Sequence, residues 1–218
     1  MVKTLSGPVR GSSSEQVKEL VIFFHGYGAD GNDLISLADH FAEILPNAEF
    51  FAPNAPDYCE MGGVGYQWFP ISQNKNGTLD LDAKDEILNS VNIIDDWIND
   101  LISKKNVQSS KILLIGFSQG TMIALETLLS KNQRFLGLIG FSGGFLGVKS
   151  DKINEAVKTP ILLIHGDSDP VVPFEMTESS LKTLSQKGFK VEKHICKGLA
   201  HGISVEGLSQ ASEFIKNL

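Results

Sequence analysis

Apolar residues fall along this chain in short unbroken runs separated by longer periodic stretches. The runs occupy residues 20–24, 112–115, 135–139 and 161–164, each ending at a glycine or a turn-forming cluster. Runs this short, without polar alternation, suit strands buried on both faces of a parallel sheet. Between them the period changes. Leu34, Leu37, Ala38, Phe41, Ile44 and Leu45 share one face at helical spacing, as do Ile87, Val91, Ile94, Ile98, Leu101 and Ile102. The second set predicts a helix opening among Asp80, Asp82, Asp85 and Glu86 and closing near Lys104 and Lys105, the charge order that complements a helix dipole. Met122, Leu125, Leu128 and Leu129 predict a helix after Gln119, and Val205, Leu208, Ala211, Phe214 and Ile215 predict a final one. Strands alternating with helices make an α/β sheet, whose ligands gather at loops leaving the carboxyl ends of the strands.

The Gly/Ser-rich residues 11–14 read as a loop or hairpin, and no linker or repeat divides the rest, so residues 1–218 read as one domain. The longest apolar stretch, residues 136–148, carries five glycines and a serine and is too short to span a bilayer. The first residues, with Lys3 and Arg10, have no continuous apolar core of the kind a signal peptide needs, which points to a cytoplasmic protein. Lys plus Arg number 19 against 26 Asp plus Glu, a formal charge of −7, which argues against nucleic acid or an anionic membrane as the main partner. Cys59 and Cys196 make no disulfide framework and no zinc spacing; Cys196, near His194 in the alternating segment 190–197, reads as a small buried residue. No metal or organic cofactor is expected.

Gly116-Phe117-Ser118-Gln119-Gly120 follows the apolar run 112–115 and precedes a helical pattern, the strand–turn–helix setting that G-x-S-x-G requires. A serine raised on so tight a turn needs glycines beside it, because side chains there meet the neighbouring strand and helix. A hydroxyl also needs a base. Of five histidines, His25 and His165 end strands, His40 lies in an amphipathic helix and His194 lies inside a strand, so structural roles suffice for them. His201 stands in the small-residue loop Gly198-Leu199-Ala200-His201-Gly202, after a strand and before the last helix. The base needs an acid to fix its tautomer, and Asp167 and Asp169 both lie just past the run 161–164. Either serves in principle, and the order Ser, Asp, His is that of α/β-hydrolases. The oxyanion needs two donors; Gln119 supplies one backbone N–H, and the loop Phe24-His25-Gly26-Tyr27-Gly28 a second, from Tyr27.

With these motifs in place the chain resembles the phospholipase/carboxylesterase family of α/β-hydrolases, which includes acyl-protein thioesterases and small bacterial carboxylesterases. The resemblance rests on HGYGADG at 25–31, APNAP at 52–56, the Trp68 segment, GFSQG at 116–120, HGDSDPVVP at 165–173 and GLAHGIS at 198–204. It implies an α/β-hydrolase fold, a mostly parallel sheet with helices on both faces; the elements named above nearly exhaust 218 residues and leave no insertion big enough for a separate lid. It implies Ser118 as nucleophile, His201 as base, Asp169 rather than Asp167 as acid, and Tyr27 and Gln119 as oxyanion donors. Thr121 stands where members often have glycine after GFSQG, and Pro70 where they often have aspartate. The implied reaction is hydrolysis of carboxylic esters or thioesters, on small molecules or acylated proteins, through an acyl-enzyme. Lysophospholipids, lactones and amides are rival substrates, and a non-catalytic binding protein is the rival from another class. Gly62, Gly63 and Gly65 beside Tyr66, Trp68 and Phe69 suggest a loop bordering an apolar pocket, with Trp68 against the substrate and an open, shallow site.

Overall fold

The computed structural model describes residues 4–12, 16–60, 64–73, 79–80, 83–130, 132–148 and 151–218. Of the residues named above, Lys3, Ser13, Ser14, Gly62, Gly63 and Asp82 lie outside that set. In chain order the strands begin with β1 (Val9–Arg10), β2 (Glu19–Phe24) and β3 (Ala48–Phe51). Two short antiparallel pairs follow, β4 (Asp57–Tyr58) with β5 (Tyr66–Gln67) and β6 (Ser72–Gln73) with β7 (Leu79–Asp80). Then come β8 (Ile112–Phe117), β9 (Gly137–Phe141), β10 (Ile161–Gly166) and β11 (Val191–Cys196). The helices are α1 (Gly31–Ile35), α2 (Leu37–Ala42), α3 (Lys84–Lys105), α4 (Gln119–Ser130), α5 (Glu175–Gln186) and α6 (Val205–Lys216).

The main sheet has the order β1-β3-β2-β8-β9-β10-β11, and only the edge strand β1 runs antiparallel to its neighbour. Apolar residues at both parities explain the layering. Leu20, Ile22, Phe24, Leu114 and Leu163 join one core with residues of α3, α4 and α5. Val21, Phe23, Ile115, Phe141 and Ile164 join a second core, on the other face, with α1, α2 and α6. Among the described residues no element forms a separate lid, and no helix is long and apolar enough to cross a membrane.

The connection from β2 leads to β3 on one side, and the chain then returns to β8 on the other, so the order reverses between β2 and β8. Crevices at such reversals are where open α/β sheets hold ligands. Register sharpens the placement: Phe24 pairs with Gly116, so the loops after β2 and β8 leave the sheet level with each other. Gly166 pairs with Cys196, which does the same for the loops after β10 and β11.

Two elements differ from the pattern-based expectation, and the long helix follows it. The periodic stretch from Leu34 to Leu45 is two short helices parted at Ser36. The long helix starts at Lys84, with Asp85 and Glu86 in its first turn, and closes on left-handed Asn106 after Lys104 and Lys105. Helix α5 carries no apolar stripe, because Thr177 and Ser180 share its buried face with Leu184.

Candidate active site

Strand β8 ends at Phe117 and α4 begins at Gln119, so Ser118 alone makes the connection. Its φ of 55° lies in the left-handed region that side chains rarely adopt. Close approach enforces the turn: a Cβ on Gly116 would sit 2.5 Å from the Thr121 nitrogen, and one on Gly120 would sit 1.9 Å from the Phe24 carbonyl oxygen. The Ser118 N–H donates to the Phe141 carbonyl at 2.9 Å. Helix α4 is buried from Gln119 through Leu129, which makes the mount rigid. Thr121 is accommodated by glycines opposite it. Its hydroxyl donates to the Phe141 carbonyl at 2.8 Å, and its side chain fills the space where Cβ atoms on Gly140 and Gly143 would lie 2.4 and 2.7 Å away.

The loops after β10 and β11 are bonded together. The Ser168 N–H donates to the Leu199 carbonyl at 3.1 Å, and a Cβ on Gly166 would sit 2.1 Å from that oxygen. Asp167 Oδ1 accepts the Gly198 N–H at 2.6 Å, so this carboxylate ties the two loops at their roots. Asp169 instead meets His201: its Oδ2 lies 2.7 Å from His201 Nδ1. Its Oδ1 accepts the N–H groups of Val171 at 2.8 Å and Val172 at 2.9 Å. A carboxylate only accepts, so Nδ1 of His201 carries the proton and Nε2 remains the ring's basic nitrogen. Burial by itself raises the Asp169 carboxyl. The His201 hydrogen bond, the Val172 and Val171 amides and the His201 charge outweigh it and hold the group below the usual carboxylate value.

The other histidines make different bonds. His25 Nδ1–H donates to the Gly26 carbonyl at 2.7 Å while Nε2 accepts the Ala55 N–H at 3.0 Å, stitching HGYG to APNAP. Desolvation by burial pushes its pKa down, ahead of the opposing Gly26 bond and the Asp30 and Asp33 charges. His40 pairs with Ser212. His194, Cys196 and Glu206 bring ligand-type atoms within 4.8 Å of one another. Each has a protein partner at the root of the His201 loop: His194 is paired with Glu206 at 2.7 Å, and Cys196, whose thiol pKa is pushed up chiefly by burial, accepts the Ser204 hydroxyl at 3.4 Å. His165, read from sequence as structural, is wholly buried beside Asp169, with Nε2 3.1 Å from Oδ2.

Gly26, Tyr27, Ser118, Gln119 and His201 line one cavity of about 270 Å³, whose apolar walls are Ile71, Phe117, Met122, Val171 and Val172. The β2 loop passes close to the serine, since a Cβ on Gly26 would lie 3.5 Å from the Ser118 Cβ. Trp68, expected at the substrate, is instead fully buried and absent from these walls. Its indole N–H donates to the His25 carbonyl at 2.9 Å and its ring packs at 5.3 Å from His25 and 5.4 Å from Phe24. The Trp68 N–H donates to Gln119 Oε1 at 2.9 Å and Gln119 Nε2 donates to the Phe69 carbonyl at 2.7 Å. Tyr66 joins from the other side, accepting the Gly28 N–H at 2.9 Å and donating to the Ala29 carbonyl at 2.8 Å. The aromatic segment therefore grips the loop after β2 and the first residue of α4. Polar bonds of this kind leave no trace in hydrophobic patterning. The Val171-Val172 wall had a visible signal, an apolar pair two residues past Asp169.

The family model described as phospholipase/carboxylesterase matches residues 8–218. A protein named acyl-protein thioesterase 1 from Saccharomyces cerevisiae is 30% identical over 217 residues, covering 93% of each chain. A probable carboxylesterase of Oryza sativa is 30% identical over 92% of this chain and 77% of its own. Among solved structures, esterase PE8 superposes with a TM-score of 0.89 at 35% identity, over 98% of this chain and 99% of that one. The chain belongs to the phospholipase/carboxylesterase family of α/β-hydrolases, a family of ester- and thioester-cleaving enzymes.

Proposed function

We propose that this single α/β-hydrolase domain cleaves carboxylic esters or thioesters through an acyl-enzyme formed on Ser118. Ser118 Oγ attacks the acyl carbonyl carbon and passes its proton to His201 Nε2, while Asp169 holds His201 in the tautomer that leaves Nε2 basic. The backbone N–H groups of Tyr27 and Gln119 receive the oxyanion, with the start of α4 adding its dipole. Collapse breaks the C–O or C–S bond, and His201 returns the proton to the departing alcohol or thiol. Water then repeats the sequence on the acyl-serine and frees the carboxylic acid. The observation that carries this reading is the 2.7 Å contact between Asp169 and His201 at the rim of the cavity holding a left-handed, elbow-mounted Ser118.

The apolar walls suit the acyl part of the substrate. Thioesterase relatives support acylated proteins as well as small molecules among the substrates. The test is steady-state and burst kinetics on p-nitrophenyl acetate and an acetyl thioester. Ser118→Ala abolishes both activities, and the wild type releases one leaving group per chain before steady state whenever deacylation is the slower step. Near-wild-type turnover by folded Ser118→Ala would overturn the reading.

A further inference from the structure

His165 is a buried, titratable side chain that the mechanism above leaves unused. It is the penultimate residue of β10, four residues before Asp169, and both it and Asp169 are fully shielded as side chains. Its ring is held at both ends. With Nε2 protonated, Nδ1 accepts from the Thr177 hydroxyl at 2.7 Å, and that one hydrogen is shared with the Gly143 carbonyl at 3.1 Å, anchoring the ring to α5. Nε2 faces two oxygens, the Val172 carbonyl at 2.9 Å and Asp169 Oδ2 at 3.1 Å. Neither oxygen has a hydrogen to give, so Nε2 carries the proton and shares it between them.

We propose that His165 is a positioning residue of the hydrolytic site, whose Nε2–H donates to Asp169 Oδ2, the oxygen that also receives His201 Nδ1–H, and thereby sets how strongly that carboxylate pulls on His201. The inference rests on the triad reading of Ser118, His201 and Asp169.

Two consequences follow from the shared oxygen. Geometrically, Asp169 is held by four donors: Val171 and Val172 on Oδ1, His201 and His165 on Oδ2. The last of these stops the carboxylate from turning about the Oδ1 anchor, so Oδ2 stays where His201 needs it. Electrostatically, a second N–H on Oδ2 withdraws part of its negative charge, so His201 faces a weaker partner than a lone carboxylate. Among the described residues, His165 from β10 and His201 from the loop before α6 are the titratable groups hydrogen-bonded to Asp169. Asp167, the other carboxylate of that loop, is turned to Ser168 and Gly198.

The test compares His165→Leu, His165→Gln and Thr177→Val with wild type on p-nitrophenyl acetate, each corrected for active fraction by fluorophosphonate titration. His165→Leu is expected to lower kcat about ten-fold, far short of the ~10⁴-fold of a lost triad acid, with KM nearly unchanged. It also moves the acid limb of the kcat/KM profile to higher pH, because an unshared carboxylate stabilises the protonated base more. His165→Gln places an amide donor near the Nε2 position and restores most of kcat and the original limb; Thr177→Val, which frees one end of the ring, falls between. An acid limb that stays put in His165→Leu, or a Gln variant no better than Leu, would overturn the inference. Should the variants not fold, ¹⁵N spectra of the histidine-labelled wild type decide: a protonated Nε2 on His165 supports it, and an unprotonated one refutes it. Ser118→Ala and His201→Ala serve as controls. If they are inactive while His165→Leu leaves the limb unmoved, only the His165 inference fails; if they retain turnover, the triad reading itself fails.

Discussion

Replacing Asp169 by asparagine puts a hydrogen-bond donor where the site needs an acceptor. The amide oxygen must stay on the Oδ1 side to keep the Val171 and Val172 N–H groups, now at 2.8 and 2.9 Å. The NH₂ then takes the place of Oδ2, 2.7 Å from His201 Nδ1 and 3.1 Å from His165 Nε2, both of which carry protons. His201 escapes the clash by moving its proton to Nε2, and in that tautomer it has no lone pair for the Ser118 proton. Such a tautomer error lowers kcat by ~10⁴, or about 5 kcal/mol of transition-state stabilisation. Asp167→Asn is the matched control. It retains an oxygen for the Gly198 N–H, now at 2.6 Å, and should lose less than about ten-fold. Both variants are assayed for kcat on p-nitrophenyl acetate and an acetyl thioester, with circular dichroism and Tm to confirm folding. Losses of similar size in the two folded variants would refute the assignment of the acid.

Three further outcomes are expected. Gly120→Ala forces a Cβ to within 1.9 Å of the Phe24 carbonyl oxygen, beyond what ordinary overpacking of ~1–3 kcal/mol describes, so the variant should be insoluble or show a much lower Tm; an unchanged Tm contradicts the close packing of β2 on α4. Trp68→Phe keeps an aromatic ring but loses the N–H to the His25 carbonyl, so kcat/KM should fall equally for acetyl and longer acyl esters, whereas Met122→Ala, on the cavity wall, should penalise longer chains more, by up to ~0.8 kcal/mol per methylene. A steeper loss with chain length in Trp68→Phe would return Trp68 to the substrate. Stability should fall on acidification in two windows: His25, lowered from 6.5, is neutral when folded, so its contribution is lost as pH drops below 6.5, and Asp169, lowered from 3.8, keeps its contribution until pH falls below that value. Urea unfolding of wild type and His25→Gln across pH 7.5 to 5 reads the first window, and equal slopes in the two proteins would contradict it.

How much of this was legible before the structure depended on what carried the signal. Runs such as 20–24 and 161–164 announce buried strands because every second residue would otherwise face water, and both faces of this sheet are covered. The Ser118 turn was legible because Gly116 and Gly120 are required by backbone contacts under 3 Å. Helix α5 escaped because a buried helix face can be polar when its hydroxyls find carbonyls, as Thr177 does at Gly143 and Ser180 at Met176. Trp68 misled for a related reason. A large apolar ring beside glycines fits a pocket wall and a core plug equally well, and the indole N–H bond that settles it joins residues 43 positions apart. Asp167 and Asp169 were separable only by resemblance, since both follow the same strand; the structure parts them by the direction of their bonds to Gly198 and His201.

Covalent labelling tests the central claim most directly. Wild-type protein treated with a fluorophosphonate and measured by intact mass should gain one adduct per chain, which tryptic mapping places on Ser118. Pre-incubation with a short acyl ester should slow the reaction, His201→Ala should react far more slowly, and Ser118→Ala should not react at all. An adduct on another residue, or labelling of folded Ser118→Ala at the wild-type rate, would contradict Ser118 as the nucleophile.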